Sequence, residues 1–394
     1  MKRFRLNSAG VLKVKNGERL LTLNDFESSE ILATMPEGQV ILVGDADKTF
    51  TVQAIVGRQN KGFAWIIFDD LTQIWSEDYL VDLLEEAVKK RQDLIEDPLT
   101  NGYRLFNGEG DGVGGITIDY YDGFIQINWY SKGAYCYRTW WLQALNVIGI
   151  HVKGIYETKR YSVGSDDSAI AHTWGIEAPK PLVISEAGRK YAIYLGESWM
   201  TGVFFDQREV RNFIQTQVHE GRVLNLFSYT GAFSIAASLG GAKHVVSVDV
   251  AKRTLEWTQE NFELNGLNNK EDHHEIRIID VFDYLDYASK QSLRFDWVIC
   301  DPPSFARTKT STFQALNDYP TLAKKLFALT KVGGFCVLST NHSGYTKEQF
   351  TKDMNQIGQG KFQLIQSFGL PSDFPNSKDP QSAYLKVLVY YRAR

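Results

Sequence analysis

Trp297-Val298-Ile299-Cys300-Asp301-Pro302-Pro303-Ser304-Phe305 is the stretch on which the fold turns. Trp297 to Cys300 has the length and apolarity of a strand buried on both faces. An acid and two prolines follow, and their fixed φ and missing N–H donors end the strand in a rigid turn. Asp301 is therefore expected at a strand end, facing inward.

Working upstream, Arg222 to Phe227 reads as a short buried strand and Ser228-Tyr229-Thr230-Gly231-Ala232-Phe233 as a turn of mostly small residues. Ile235 to Leu239 reads as helix, and Val245 to Val248 as a second strand ending at Asp249. A third strand, Ile276 to Ile279, ends at Asp280-Val281-Phe282. In an open parallel sheet ligands bind beyond the carboxyl ends of the strands, so the turn and the acids should border one crevice. Asp249, 18 residues beyond Gly231, is spaced for a carboxylate that accepts both hydroxyls of a ribose. The GxGxxG pattern of dinucleotide binders is absent, which favours a cofactor without a pyrophosphate. Asp280 and Phe282 can hold an adenine amine and its ring face, or Asp280 can simply cap the next helix. A rigid acceptor such as Asp301, set beside a planar aromatic substrate, suits methyl transfer to a base, where the target atom must be aligned with a sulfonium methyl.

Downstream of Val332-Gly333-Gly334, a fifth strand (Phe335 to Ser339) leads into the loop Thr340-Asn341-His342-Ser343-Gly344. A helix near 346–357 and strands at Phe362 to Phe368 and Tyr384 to Tyr391 close the chain. Two last strands joined by a loop predict an antiparallel pair, unlike a dehydrogenase that ends in βαβ units.

The amino-terminal half differs. Strand-like runs at Val40 to Val43, Phe50 to Val56 and Phe63 to Phe68 predict a small β module over 1–72. A connecting helix (76–95) and a middle α/β domain, 73–181, follow, with strands Ile116 to Asp119 and Phe124 to Trp129 turning at Asp122-Gly123. Tyr135, Trp140, Trp141 and Leu145 are read as core of that domain. From 182 a hairpin around Glu186-Ala187-Gly188 opens the last domain, 182–394.

At 394 residues and 43% apolar, the chain can bury a large interior. A net charge of −4 excludes a protein that coats nucleic acid by bulk charge but permits a local basic groove. Lys2, Arg3, Arg5, Lys13, Lys15 and Arg19 break any apolar run near the start, so a cytoplasmic protein without membrane association is expected. Those same cations fit either a solvated amphipathic helix or an RNA-facing one. Three scattered cysteines support neither disulfides nor a thiolate zinc site, and no metal is expected.

Tyr103-Arg104-Leu105, Gly108-Glu109, Asp111-Gly112, Gly115-Ile116-Thr117-Ile118-Asp119, Thr201-Gly202 and Asp206-Gln207-Arg208 stand in the same order as in a known family, as do Val223-Leu224-Asn225, Phe227-Ser228-Tyr229-Thr230-Gly231, Val246-Ser247-Val248-Asp249, Asp301-Pro302-Pro303 and Tyr384-Leu385-Lys386. Over about its whole length the chain resembles bacterial class I methyltransferases of large-subunit (23S) ribosomal RNA, whose members include a cytosine-5 enzyme. The resemblance implies an α/β protein with an N-terminal PUA-like RNA-binding module, a middle α/β domain and a C-terminal Rossmann-like catalytic domain. It implies S-adenosyl-L-methionine as cofactor and ribosomal RNA as partner, and is compatible with a homodimer. Phe227, Ser228, Tyr229, Thr230, Gly231, Asp249 and Asp280 then hold the cofactor, with Gln207 and Arg208 on the same crevice. Arg208 can meet the cofactor carboxylate, an RNA phosphate or Asp206. Asp301, Pro302 and Pro303 orient the base.

One position departs from the family. The cytosine-5 members carry a nucleophilic cysteine in the loop after strand five, where this chain has His342. Cytosine C5 becomes nucleophilic only after a thiolate adds at C6, and imidazole is a poor replacement. Cys300 beside Asp301 could substitute, although a cysteine ending a buried strand is usually inert packing. A guanine ring nitrogen of N7 type needs no adduct and is the alternative target; a non-catalytic RNA-binding assembly factor is another.

Overall fold

Apolar runs with no polar face become the inner strands of a seven-stranded sheet. The sheet's strands are β1 (Arg222–Leu226), β2 (His244–Asp249), β3 (His273–Ile278), β4 (Phe295–Cys300), β5 (Thr330–Thr340), β6 (Phe362–Phe368) and β7 (Lys386–Arg392), in the order β3-β2-β1-β4-β5-β7-β6, with the more polar β3 and β6 at the edges. β1 to β5 run parallel, and β7 is antiparallel to both β5 and β6, the expected terminal pair. Helices α1 (Arg208–Gln217), α2 (Ala232–Leu239), α3 (Arg253–Leu264), α4 (Val281–Lys290), α5 (Ala315–Leu329) and α6 (Lys347–Gly358) accompany them.

Alternate side chains along each strand serve two cores. Leu224, Leu226, Val246, Val248, Val298, Cys300 and Leu338 pack with Val281 and Leu285 of α4 and Tyr319, Leu322 and Leu326 of α5. Val223, Val245, Ile299 and Val337 pack with Val210 and Ile214 of α1 and Phe233 and Ala236 of α2. Each fully buried Leu or Val contributes roughly 1.5–3 kcal/mol. The register places Leu226 opposite both Val248 and Cys300, so the residues just beyond these strands emerge at one edge. The strand order reverses beside β1, where such sheets bind ligands.

The structure, a computed structural model, describes residues 2–59, 62–161, 168–267, 273–307 and 312–394. It divides into two units, Met1–Ile184 with Tyr194–Thr201 and Ser372–Ser382, and Ser185–Ile193 with Gly202–Pro371 and Ala383–Arg394. The seven-stranded sheet belongs to the second.

In the first unit Arg3–Arg5, Val40–Gly44, Thr51–Gln59, Gly62–Phe68 and Leu20–Leu21 build one five-stranded sheet. A second contains Gly102–Phe106, Ile116–Tyr121, Phe124–Trp129, Gly154–Lys159 and Ile170–Gly175. Asp122 and Gly123, both at positive φ, form the expected hairpin turn. Trp141 is buried, and Trp140 and Tyr135 pack on the same core. Half of the six amino-terminal cations meet carboxylates: Arg3 with Asp45, Lys13 with Asp25, and Arg19 in a fork on Asp69 at 2.6 and 2.8 Å. Of these three, Lys13 lies in helix Ser8–Lys15.

Several boundaries differ from the sequence reading by one to five residues. α2 begins at Ala232, directly after left-handed Gly231, because the small-residue turn ends there. β5 starts at Thr330, five residues early: Gly333, at φ 80°, does not end the strand, and the irregularity falls within the β4–β5 pairing. No helix of the described residues is long and apolar enough to cross a membrane.

Candidate active site

Beyond β1 the backbone takes left-handed conformations at alternate residues, Phe227 (φ 57°), Tyr229 (φ 50°) and Gly231 (φ 77°). For the two aromatic residues this costs on the order of 1 kcal/mol each and persists only where neighbours enforce it. The Ser228 amide donates to the Val248 carbonyl at 3.0 Å, and the Tyr229 amide to Asp249 Oδ2 at 2.9 Å. Asn261 Nδ2 donates to the Thr230 carbonyl at 2.9 Å, while Thr230 Oγ1 donates to the Gly202 carbonyl at 2.6 Å. A Cβ on Gly231 would lie 2.7 Å from the Thr258 methyl, so that position requires glycine on steric as well as conformational grounds.

Asp249 also accepts from the Ala251 amide at 3.0 Å, through Oδ1. Each oxygen then retains a lone pair, and the half-buried residue stands at the edge of the loop. Ser228 Oγ is buried with no hydrogen-bond partner among the described residues. Asp280 caps α4 by accepting from the Phe282 amide at 2.8 Å, so the cap reading holds, and the cap also fixes the Phe282 backbone. The partly exposed Phe227 and Phe282 lie 6.3 and 5.9 Å from the ring of Phe313, which is buried in the sheet core.

Asp301 stands after β4 with Pro302 buried behind it. Burial lifts its carboxyl to about 6; the Asp206 carboxylate adds to the rise, while hydrogen bonds from Ser339 and Gln207 and the charge of Arg211 oppose it. Gln207 Nε2 donates to Ser339 Oγ at 2.8 Å, and Tyr319 Oη to the Ser339 carbonyl at 2.8 Å. The turn after β4 is tied to the loop after β5 by Ser304 Oγ donating to Asn341 Oδ1 at 2.5 Å.

Within the Asp206-Gln207-Arg208 segment, Arg208 is buried with Nε 3.5 Å from Glu186 Oε2. Glu186 also takes a fork from Arg211 at 2.7 and 2.6 Å and Arg189 at 3.0 Å. Burial alone would raise this carboxyl, but the three guanidiniums outweigh it and hold it at about 2. Three guanidiniums thus converge on one carboxylate, and the Asp206 carboxylate also acts on Arg211.

His342 Nδ1 accepts from the Gly344 amide at 3.1 Å, and its carbonyl accepts from Lys386 Nζ at 2.7 Å. With Nδ1 accepting this bond, the neutral ring carries its proton on Nε2, and its one basic lone pair is engaged by the Gly344 amide. Cys300 and Cys336 are fully buried in the sheet core, and burial pushes both thiols far up, so neither supplies a thiolate. The notion that Cys300 rescues the chemistry finds no support. Lys386 had no role in the sequence reading. It is buried on β7, opposite Thr340, and burial lowers its ammonium to about 8. The available signal was one lysine set in the apolar run Leu385-Lys386-Val387-Leu388-Val389. Among the described residues no group of three His, Cys, Asp or Glu is placed to hold a metal ion.

Comparison with known proteins bears on this geometry. The pattern of S-adenosylmethionine-dependent methyltransferases matches residues 156–391, and that of a PUA-like domain residues 4–68. YwbD of Bacillus subtilis (strain 168) is 41% identical over 99% of both chains. Ribosomal RNA large subunit methyltransferase I of Aeromonas salmonicida (strain A449) is 34% identical over 80% of this chain and 81% of its own. The crystal structure of SMU.776 complexed with SAH superposes with a TM-score of 0.89 at 35% identity, covering 99% of this chain and 100% of the other. A strained turn after β1, acids at the carboxyl ends of β2, β3 and β4, and the 3-2-1-4-5-7-6 sheet agree with these matches, and the chain belongs to the S-adenosylmethionine-dependent methyltransferase family and carries a PUA-like domain.

Proposed function

We propose that the protein methylates a base of large-subunit ribosomal RNA at a guanine ring nitrogen of N7 type, without a covalent enzyme–RNA intermediate. Relatives named ribosomal RNA large subunit methyltransferase supply the substrate class. The observation that carries the choice of atom is His342: its Nδ1 is spent on the Gly344 amide, in the loop where a cytosine-5 enzyme needs a thiolate.

S-adenosylmethionine supplies an electrophilic methyl on its sulfonium. Phe227 to Gly231 and Asp249 would hold it, Asp249 accepting from the ribose hydroxyls with its remaining lone pairs, and the Phe227 and Phe282 rings covering the adenine. The buried Ser228 hydroxyl, with no hydrogen-bond partner among the described residues, fits a polar group of the cofactor. Gln207 and Arg208 would border its carboxylate end. Asp301 orients the base on the rigid Pro302-Pro303 turn. A guanine N7 gains positive charge on the ring as the methyl arrives, and an ionised Asp301 stabilises that charge. Proton removal by an enzyme base is not required at such an atom, consistent with a His342 that is neither nucleophile nor free base.

RNA carrying 5-fluorocytidine distinguishes the mechanisms. No denaturant-stable complex with the protein is expected. A trapped complex abolished by Cys300→Ser or Cys336→Ser would place the reaction at cytosine C5.

A further inference from the structure

We propose that Arg160, Tyr130 and Trp199, in the first unit, form a stacking platform for an unpaired base of the RNA; this rests on the ribosomal RNA reading above. Lys159 ends one strand and Trp129 its parallel neighbour, and the two face each other in register. The next residues, Arg160 and Tyr130, therefore leave the sheet side by side. The Arg160 amide donates to the Trp129 carbonyl at 2.7 Å, which fixes its backbone. Its side chain is fixed as well: Nε donates to Asn128 Oδ1 at 3.0 Å and Nη2 to the Trp199 carbonyl at 2.8 Å. So held, the guanidinium lies 5.7 Å from the Tyr130 ring centre and 5.3 Å from that of Trp199.

Two features make this a binding surface rather than packing. Arg160 directs these hydrogen bonds to neutral oxygens, and among the described residues no carboxylate lies within ion-pair distance of it, so its charge stays uncompensated. Trp199 and Met200 are each 51% exposed, so the indole that the arginine steadies faces water. Beside them Lys159 Nζ sits 5.0 Å from the Tyr135 ring, which itself is 6.0 Å from Tyr161. Two basic side chains and an aromatic one follow one another at Lys159, Arg160 and Tyr161. An apolar protein partner would favour a patch without a fixed cation, whereas a nucleotide presents both a planar ring for Trp199 and a phosphate for Arg160. Stacking of this kind is tolerant of base identity, so the platform positions RNA and leaves selection of the target to the site near Asp301.

The test uses the full chain, protein-free large-subunit ribosomal RNA in filter binding across a salt series, and calorimetry with S-adenosylmethionine. Trp199→Ala should weaken RNA binding roughly tenfold with an unchanged salt slope, since a ring and no charge is lost. Trp199→Phe should restore most of the affinity, and Arg160→Ala should weaken binding and lower the salt slope by about one. Cofactor affinity should stay at the wild-type value in all three. Wild-type RNA affinity in Trp199→Ala, or a parallel loss of cofactor affinity, would overturn the platform. If the wild-type chain binds cofactor but no ribosomal RNA, the substrate reading fails and the platform with it.

Discussion

Asp301→Asn should make the protein more stable and much less active, and the stability gain should vanish in acid. The structure lifts this carboxyl from an ordinary 3.8 to about 6. At pH 7.5 the fold therefore holds a carboxylate whose ionised form it disfavours by about two pKa units, a ceiling of about 3 kcal/mol. The residue is only half-buried, so solvent screening reduces this to about 1–2 kcal/mol. The sign follows from proton binding: between roughly pH 4 and 6 the folded state holds more protons than the unfolded state, so stability falls as pH rises through this window. Asparagine has no charge to bury and keeps an amide oxygen for Ser339 and Gln207. A rise in Tm of about 2–8 °C at pH 7.5, shrinking toward zero near pH 4, is expected by differential scanning calorimetry. Methyl transfer should fall roughly a hundredfold or more, with cofactor affinity little changed. Wild-type activity should also decline below about pH 6, as Asp301 takes up its proton. A lower Tm at pH 7.5, or a gain of equal size at both pH values, would refute the reasoning.

Three other perturbations probe separate parts of the site. Asp249→Ala removes the acceptor that braces the Tyr229 and Ala251 amides and should weaken S-adenosylmethionine binding tenfold to a hundredfold by calorimetry; retained affinity would take Asp249 out of the site. Glu186→Gln leaves three buried guanidiniums without their carboxylate and should cost about 3–5 kcal/mol in denaturant unfolding at neutral pH. Because that carboxyl sits at about 2, the wild-type contribution is full above its ordinary value of 4.5 and is lost as pH falls toward 2, so mutant and wild type should converge in strong acid. Lys386→Met frees the His342 carbonyl and should lower kcat more than it raises KM for RNA, with Lys386→Arg recovering part of the loss; equal kinetics for Met and wild type would show that the tether is dispensable.

Sequence patterns that depend on neighbouring residues were readable, and those that depend on register were not. The apolar runs at 222–227, 245–248 and 297–300, each followed by a turn or an acid, specified the parallel sheet and its ligand-binding edge, because burial on both faces leaves so simple a trace. Asp280 was readable as a cap for the same local reason. The Glu186 cluster was not, since its arginines come from a hairpin and a helix brought together only by folding. Lys386 stayed silent for a similar reason: only the pairing of β7 with β5 sets it opposite Thr340 and beneath His342. The Gly333-Gly334 pair misled, because glycine marks a bulge inside a strand as well as the end of one. His342 could be named from the sequence as a missing nucleophile, but only its bond with the Gly344 amide shows how the ring is engaged.

The central claim is that methyl transfer occurs at a base atom already nucleophilic in RNA, with no thiolate taking part. Its most direct test is nucleoside mass spectrometry of large-subunit ribosomal RNA methylated by the purified protein, together with RNA from cells lacking the gene. 7-Methylguanosine should appear in the first and be depleted in the second, whereas 5-methylcytidine in its place would contradict the account.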